Sequence, residues 1–146
     1  MKKGKQLKKL IRYIKIPKIR DDCFLFVAEF ATHIPFPIKR VYYLTALKPG
    51  APRGFHAHKK TKQVLFCIQG SVRLVLEDGV TRKEVLLQKP NLGIFLDNLI
   101  WHEMHDISRD TLLLVLASKT FDPDDYIRDY QVFKHETNTK YEPNKI

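Results

Sequence analysis

Between residues 38 and 117 the chain is a series of short runs of apolar, β-branched and aromatic residues, each stopped by glycine, proline or aspartate. Such punctuation leaves little room for anything but short strands joined by tight turns. Ile38 to Leu47 ends in Lys48-Pro49-Gly50-Ala51-Pro52, Lys62 to Gln69 stops at Gly70, and Ser71 to Leu76 runs into Glu77-Asp78-Gly79 before Val80 to Leu87 returns. The last of these is a hairpin signal, because the Asp-Gly pair tolerates the positive φ angles of a two-residue turn. Further runs follow at Leu92 to Leu96, Ile100 to Met104 and Thr111 to Ala117, and an earlier one spans Phe24 to Phe30 ahead of Pro35 and Pro37. No long stretch carries a helical period, so the fold class is all-β, a sandwich or a barrel. The exception is predicted near the end, where Asp122 before Pro123 caps and opens a short helical turn through Ile127.

A chain of 146 residues buries one core, which predicts one domain. The formal charge of +10 suggests a polyanion partner, but nine Lys and Arg and no acid fall within residues 1–20, leaving 17 basic against 16 acidic residues in the rest. The body is nearly neutral, and no basic stripe interleaves with aromatics as a nucleic-acid platform needs, so nucleic acid is excluded as the expected partner. No apolar run approaches the roughly 20 residues that span a bilayer. Lys and Arg recur through the first apolar positions, unlike a secretory leader, and the expected compartment is the cytoplasm. Cys23 and Cys67 lie in strand-like apolar runs without CxxC spacing and are expected as buried free thiols. The expected organisation is a basic extension over 1–13, one β domain over 14–134 and a polar tail over 135–146.

The densest polar cluster is Arg53-Gly54-Phe55-His56-Ala57-His58. On a strand, residues two apart point the same way, so His56 and His58 share a face and Gly54 leaves it open. Imidazoles titrate near neutrality and serve as proton carriers or metal ligands; as an alternative, the pair is plain surface beside Lys59 and Lys60. Arg40 and Tyr42 likewise share a face and can offer hydrogen bonds together, while Tyr42 as a core aromatic is the competing reading. Arg53 is either a bidentate anion contact or a loop charge. His102 lines a pocket or packs beside Trp101.

The spacing of His56, His58, Gln63 and Gly70 resembles the first cupin motif, and His102 resembles the histidine that closes the second. Metal-binding cupins usually carry Glu where this chain has Gln63, and a neutral amide is a poorer ligand for a divalent cation. Four blocks, Ile38 to Tyr43, Arg53 to Lys60, Ile100 to His102 and Asp124 to Tyr130, together resemble the dTDP-4-keto-6-deoxyglucose 3,4-ketoisomerases over roughly residues 14 to 134. That resemblance implies a cupin double-stranded β-helix (jelly-roll) barrel and a homodimer with exchanged N-terminal strands. It implies no cofactor and no required metal, and a place in making deoxy sugars for lipopolysaccharide or S-layer glycans.

The implied substrate is a dTDP-linked keto sugar. The chemistry needs a base to take the C-3 hydrogen beside the C-4 carbonyl, and a donor to the enediolate oxygen. His56, His58 and Tyr42 are the expected catalytic residues, with His56 the candidate carbon base, although spacing does not separate it from His58. Arg40, Arg53, Gln63 and His102 are expected to bind substrate. The alternatives are a cupin-type nucleotide-sugar epimerase, a non-catalytic sugar-binding cupin and a metal-dependent dioxygenase, which lacks its Glu.

Overall fold

A computed structural model describes residues 9–141, which form twelve strands and one α-helix. One five-stranded sheet has the order β1 (Tyr13–Lys15), β9 (Leu92–Leu96), β6 (Gln63–Gln69), β11 (Leu112–Ala117), β4 (Arg40–Leu44). The other runs β12 (Tyr126–Ile127), β5 (Arg53–His58), β10 (Trp101–His105), β7 (Val72–Glu77), β8 (Arg82–Leu87). A separate hairpin pairs β2 (Lys18–Arg20) with β3 (Phe24–Phe26). Every ladder within the sheets is antiparallel, the arrangement of the expected jelly-roll barrel.

Alternation along the strands builds the core. Leu74 and Leu76 of β7, Val85 and Leu87 of β8, Leu65 and Cys67 of β6, Ile94 and Leu96 of β9, and Leu113 and Val115 of β11 meet in one cluster. At about 25 cal/mol per Å² of apolar surface, each fully buried aliphatic side chain there stabilises the fold by roughly 1.5–3 kcal/mol. The β7–β8 hairpin forms, but its loop runs from Asp78 to Thr81 and β8 starts only at Arg82: Asp78 Oδ1 accepts from the amides of Val80 and Thr81, and of the Asp-Gly pair only Gly79 takes a positive φ, +95°.

Several expectations change. The early strand is only three residues, because the chain leaves β3 for a turn closed by the His33 and Ile34 amides on the Glu29 carbonyl. Cys23 is exposed at the hairpin tip, and only Cys67 is buried. The N-terminal boundary at 13 cuts into packed structure: Leu10 is buried in the main cluster, Ile11 packs on it, and the Arg12 carbonyl accepts from Phe95 N. The expected turn at 122–127 forms as a 3-10 helix over Pro123–Asp125, with Asp122 accepting from Asp124 N. The chain then continues into α1 (Tyr130–Tyr141), across residue 134 where a polar tail was expected to begin. Its polar composition hides two anchors a turn apart, Phe133 at 0% and Thr137 at 1% exposure; Thr137 Oγ1 returns a hydrogen bond to the Phe133 carbonyl. Phe133 joins Trp101, Ala57 and Ile127 in a second core on the outer face of β5 and β10. Residues 142–146 of that tail lie outside the described residues, as do residues 1–8 of the basic extension.

Candidate active site

The two sheets part at one end to leave a cavity of about 460 Å³. Arg40, Tyr42 and Gln63 enter it from one sheet, Arg53, His56 and His102 from the other, and Phe121, Tyr126 and Arg128 from the segment after β11. Leu44, Leu65, Leu96 and Val115 form its apolar wall. Six of the seven residues expected from the sequence therefore line one space. The seventh, His58, is not among the lining residues; it sits just behind His56, 3% exposed.

A bulge in β5 creates this arrangement. His56 lies opposite His102 on β10, but Gly54 lies opposite Glu103, so Phe55 is the extra residue. Gly54 at φ +91° and Phe55 at +55° bend the strand in consecutive left-handed conformations. The bend brings the His56 ring to 4.4 Å from His102 and 5.2 Å from His58, centroid to centroid, with His58 and His102 at 6.1 Å.

Hydrogen bonds fix the tautomers. His56 Nδ1 lies 3.0 Å from the Gly54 carbonyl and His102 Nδ1 lies 3.3 Å from the Ile100 carbonyl. A carbonyl only accepts, so both rings carry hydrogen on Nδ1 and keep Nε2 as a free base. Burial pushes all three imidazoles below the ordinary histidine range. The Arg128 charge adds to the effect at His56, and His56 adds to it at His58, which is pushed down to about 4. His102 falls well below that range, chiefly through its complete burial. At cellular pH the cluster is therefore neutral, with its unprotonated nitrogens able to accept a proton.

Opposite the histidines, Gln63 Nε2 donates to the Tyr42 hydroxyl at 2.9 Å. The amide at the cupin ligand position is thus turned to the phenol, and the Tyr42 hydrogen stays available for an acceptor in the cavity. Burial raises the Tyr42 pKa, keeping the phenol a donor. Arg40 lies with its guanidinium 5.4 Å from the Tyr42 ring centroid and 5.8 Å from that of Phe121, and its buried Nε has no partner among the described residues. Among the described residues, no set of three or more His, Cys, Asp or Glu is placed to hold an ion.

Asp125, Tyr126 and Arg128 belong to a block singled out in the sequence, yet its residues had no settled role there; Phe121 carried no signal at all. Arg128 lies 4.6 Å over the Tyr126 ring in the cavity lining, adding a third cation beside Arg40 and Arg53.

Comparison with known proteins supplies the family. The family model described as "FdtA: WxcM-like, C-terminal" matches residues 9–138. A TDP-4-oxo-6-deoxy-alpha-D-glucose-3,4-oxoisomerase of Aneurinibacillus thermoaerophilus is 48% identical over 126 residues, covering 86% of this chain and 89% of that one. The sugar 3,4-ketoisomerase QdtA of Thermoanaerobacterium thermosaccharolyticum, solved with TDP, superposes with a TM-score of 0.88 at 38% identity, covering 93% of this chain and 100% of that one. The TDP-quinovose 3,4-ketoisomerase WlaRB of Campylobacter jejuni does so at 0.83 and 38%, covering 87% and 98%. This chain therefore belongs to the FdtA family of sugar 3,4-ketoisomerases and shares their cupin barrel.

Proposed function

We propose that the protein converts dTDP-4-keto-6-deoxy-D-glucose to the dTDP-3-keto-6-deoxy sugar. The observation that carries this is the pairing, across one cavity, of a neutral imidazole with a bare Nε2 at His56 and a phenol with a free hydrogen at Tyr42. His56 Nε2 takes the C-3 proton. The electron pair moves into a C-3–C-4 double bond and onto the C-4 oxygen, which Tyr42 and Arg40 stabilise as an enediolate. The hydroxyl hydrogen on the C-3 oxygen passes to the C-4 oxygen, the C-3 carbonyl forms, and C-4 takes a proton, so substrate and product are isomers. His102 shapes the wall beside His56. Arg53 and Arg128, which line the same cavity, suit the diphosphate.

The second copy in a homodimer is the natural cover for the β2–β3 hairpin, on which Ile19, Phe24 and Leu25 are about half exposed. Exchange of N-terminal strands places this arm on a partner; light scattering giving a monomer mass at micromolar concentration contradicts it. The family resemblance supports a cytoplasmic enzyme supplying sugars for lipopolysaccharide or S-layer glycans.

The deciding experiment is incubation with dTDP-4-keto-6-deoxyglucose in deuterated water followed by proton NMR. The expected result is a C-3 carbonyl with deuterium at C-4. A carbonyl still at C-4 with deuterium washed into the ring identifies an epimerase, and no carbon exchange identifies a binding protein. Activity surviving a strong chelator is expected; loss restored by added divalent metal contradicts the proton-shuttle mechanism.

A further inference from the structure

Asp125 reaches the histidines from outside the barrel strands. The 3-10 turn Pro123–Asp125 feeds β12, which pairs with β5 so that Tyr126 lies opposite His58, and Lys59 N donates to the Asp125 carbonyl at 2.8 Å. The carboxylate is 7% exposed. Its Oδ1 accepts from Lys60 N at 2.7 Å, and its Oδ2 accepts from Thr61 Oγ1 at 2.5 Å and from His58 Nδ1 at 3.1 Å. These donors hold Asp125 below the usual carboxylate range, so it is ionised, and His58 must present a hydrogen on Nδ1 to it.

Two observations separate this pair from a tie that merely pins the C-terminal turn. First, the far nitrogen, His58 Nε2, is buried and has no partner among the described residues. It lies in a ring whose centroid is 5.2 Å from that of His56. A buried unpaired acceptor is a cost that a structural corner would shed by using an apolar residue. Second, the other charges near the cluster are positive or become so: His56 and His102 on β5 and β10, Arg40 on β4 and Arg128 after β12, with the Tyr126 ring packed against His56 and His58. An imidazolium on His56 needs a counter-charge, and Asp125 lies one ring away.

We infer that Asp125 is a positioning residue for the isomerisation: its carboxylate locks His58 in the Nδ1–H tautomer with Nε2 bare, and supplies the negative charge that lets His56 hold a proton during turnover. The inference rests on the proposed proton chemistry, and its test is separable from it. Long-range ¹⁵N–¹H NMR of the unmutated protein at mildly alkaline pH reads the His58 tautomer directly, without substrate. Hydrogen on Nδ1 is expected; hydrogen on Nε2 overturns the inference, whatever Asp125→Asn does.

In Asp125→Asn the amide offers His58 a donor, so the hydrogen should move to Nε2. The kcat should fall about 10- to 100-fold while KM stays within about threefold, as for other partners that orient a functional imidazole. With the negative charge gone, the imidazoles become harder to protonate, so the acidic limb of kcat/KM should move to lower pH. Thr61→Val removes a second donor to the same carboxylate but keeps the pair, and should retain the tautomer and most of the turnover. An Asp125→Asn protein with unchanged tautomer, limb and kcat overturns the inference; should that variant not fold, the tautomer of the unmutated protein decides. If the unmutated enzyme instead gives no C-3 exchange from the keto sugar, the functional proposal fails while the tautomer result stands on its own.

Discussion

Gly54→Ala tests whether the β5 bulge positions the chemistry, and the structure sets its magnitude. Gly54 sits at φ +91°, and a Cβ built on it would lie 2.9 Å from the His102 carbonyl oxygen and 3.3 Å from Glu103 Cα, both backbone atoms of the neighbouring strand. The left-handed conformation alone costs an L residue about 1–2 kcal/mol. Relieving the clash means moving β5 off β10, an overpacking cost of about 1–3 kcal/mol more. The total of about 2–5 kcal/mol is a large part of the roughly 5–15 kcal/mol that holds a domain together, but leaves a folded protein to assay. Gly50 supplies the control: it has φ +73° with nothing within 4 Å of its Cβ position, so Gly50→Ala should cost only the conformational part. Because Gly54 also holds His56 through its carbonyl and faces the strand of His102, the same shift displaces the base. Misplacement by about 1 Å costs on the order of 10²-fold in rate. Urea unfolding of both variants beside the deuterium-exchange assay reads both effects. Equal destabilisation of Gly54→Ala and Gly50→Ala, with full turnover in each, would refute the argument that the bulge is what sets the histidine geometry.

Three further outcomes follow from the same geometry. With His58 pushed down to about 4 from an ordinary value near 6.5, the unfolded chain binds its proton first, so stability is full above pH 6.5 and falls between there and about pH 4. His58 alone accounts for about 3 kcal/mol of that loss, read as a falling urea midpoint; a flat profile across the window contradicts it. Tyr42→Phe removes the enediolate donor and should lower kcat by about 10²- to 10³-fold, with nucleotide affinity little changed in a TDP titration. Deletion of Met1 to Arg12 should weaken the fold by about 2 kcal/mol or more, since Leu10 is a core side chain, whereas deletion of residues 1–8 should leave turnover within a few-fold; identical thermal midpoints for the two truncations count against the packing argument.

What the sequence revealed follows the range of each interaction. Strand positions and turns are local matters of alternation and backbone preference, so Leu92 to Leu96 and the β7–β8 hairpin are read directly, and His56 and His58 announce themselves by spacing. The β5 bulge is less visible, because a positive φ at Phe55 is imposed by the register against β10 and not by phenylalanine. Helix α1 is hidden for a related reason: its hydrophobic periodicity is weak, and it is held by two buried side chains and a tether from Tyr130 Oη to Glu77 Oε1 across 53 positions. Gln63 shows the limit most plainly. Its place in the cupin pattern marks it as a ligand position, but its side chain bonds Tyr42, which lies 21 residues earlier on the edge strand β4 of the same sheet, with β11 between them. A motif names the residues at a site; only the fold decides which other side chains they meet there, as Gln63 meets Tyr42 and His58 meets Asp125.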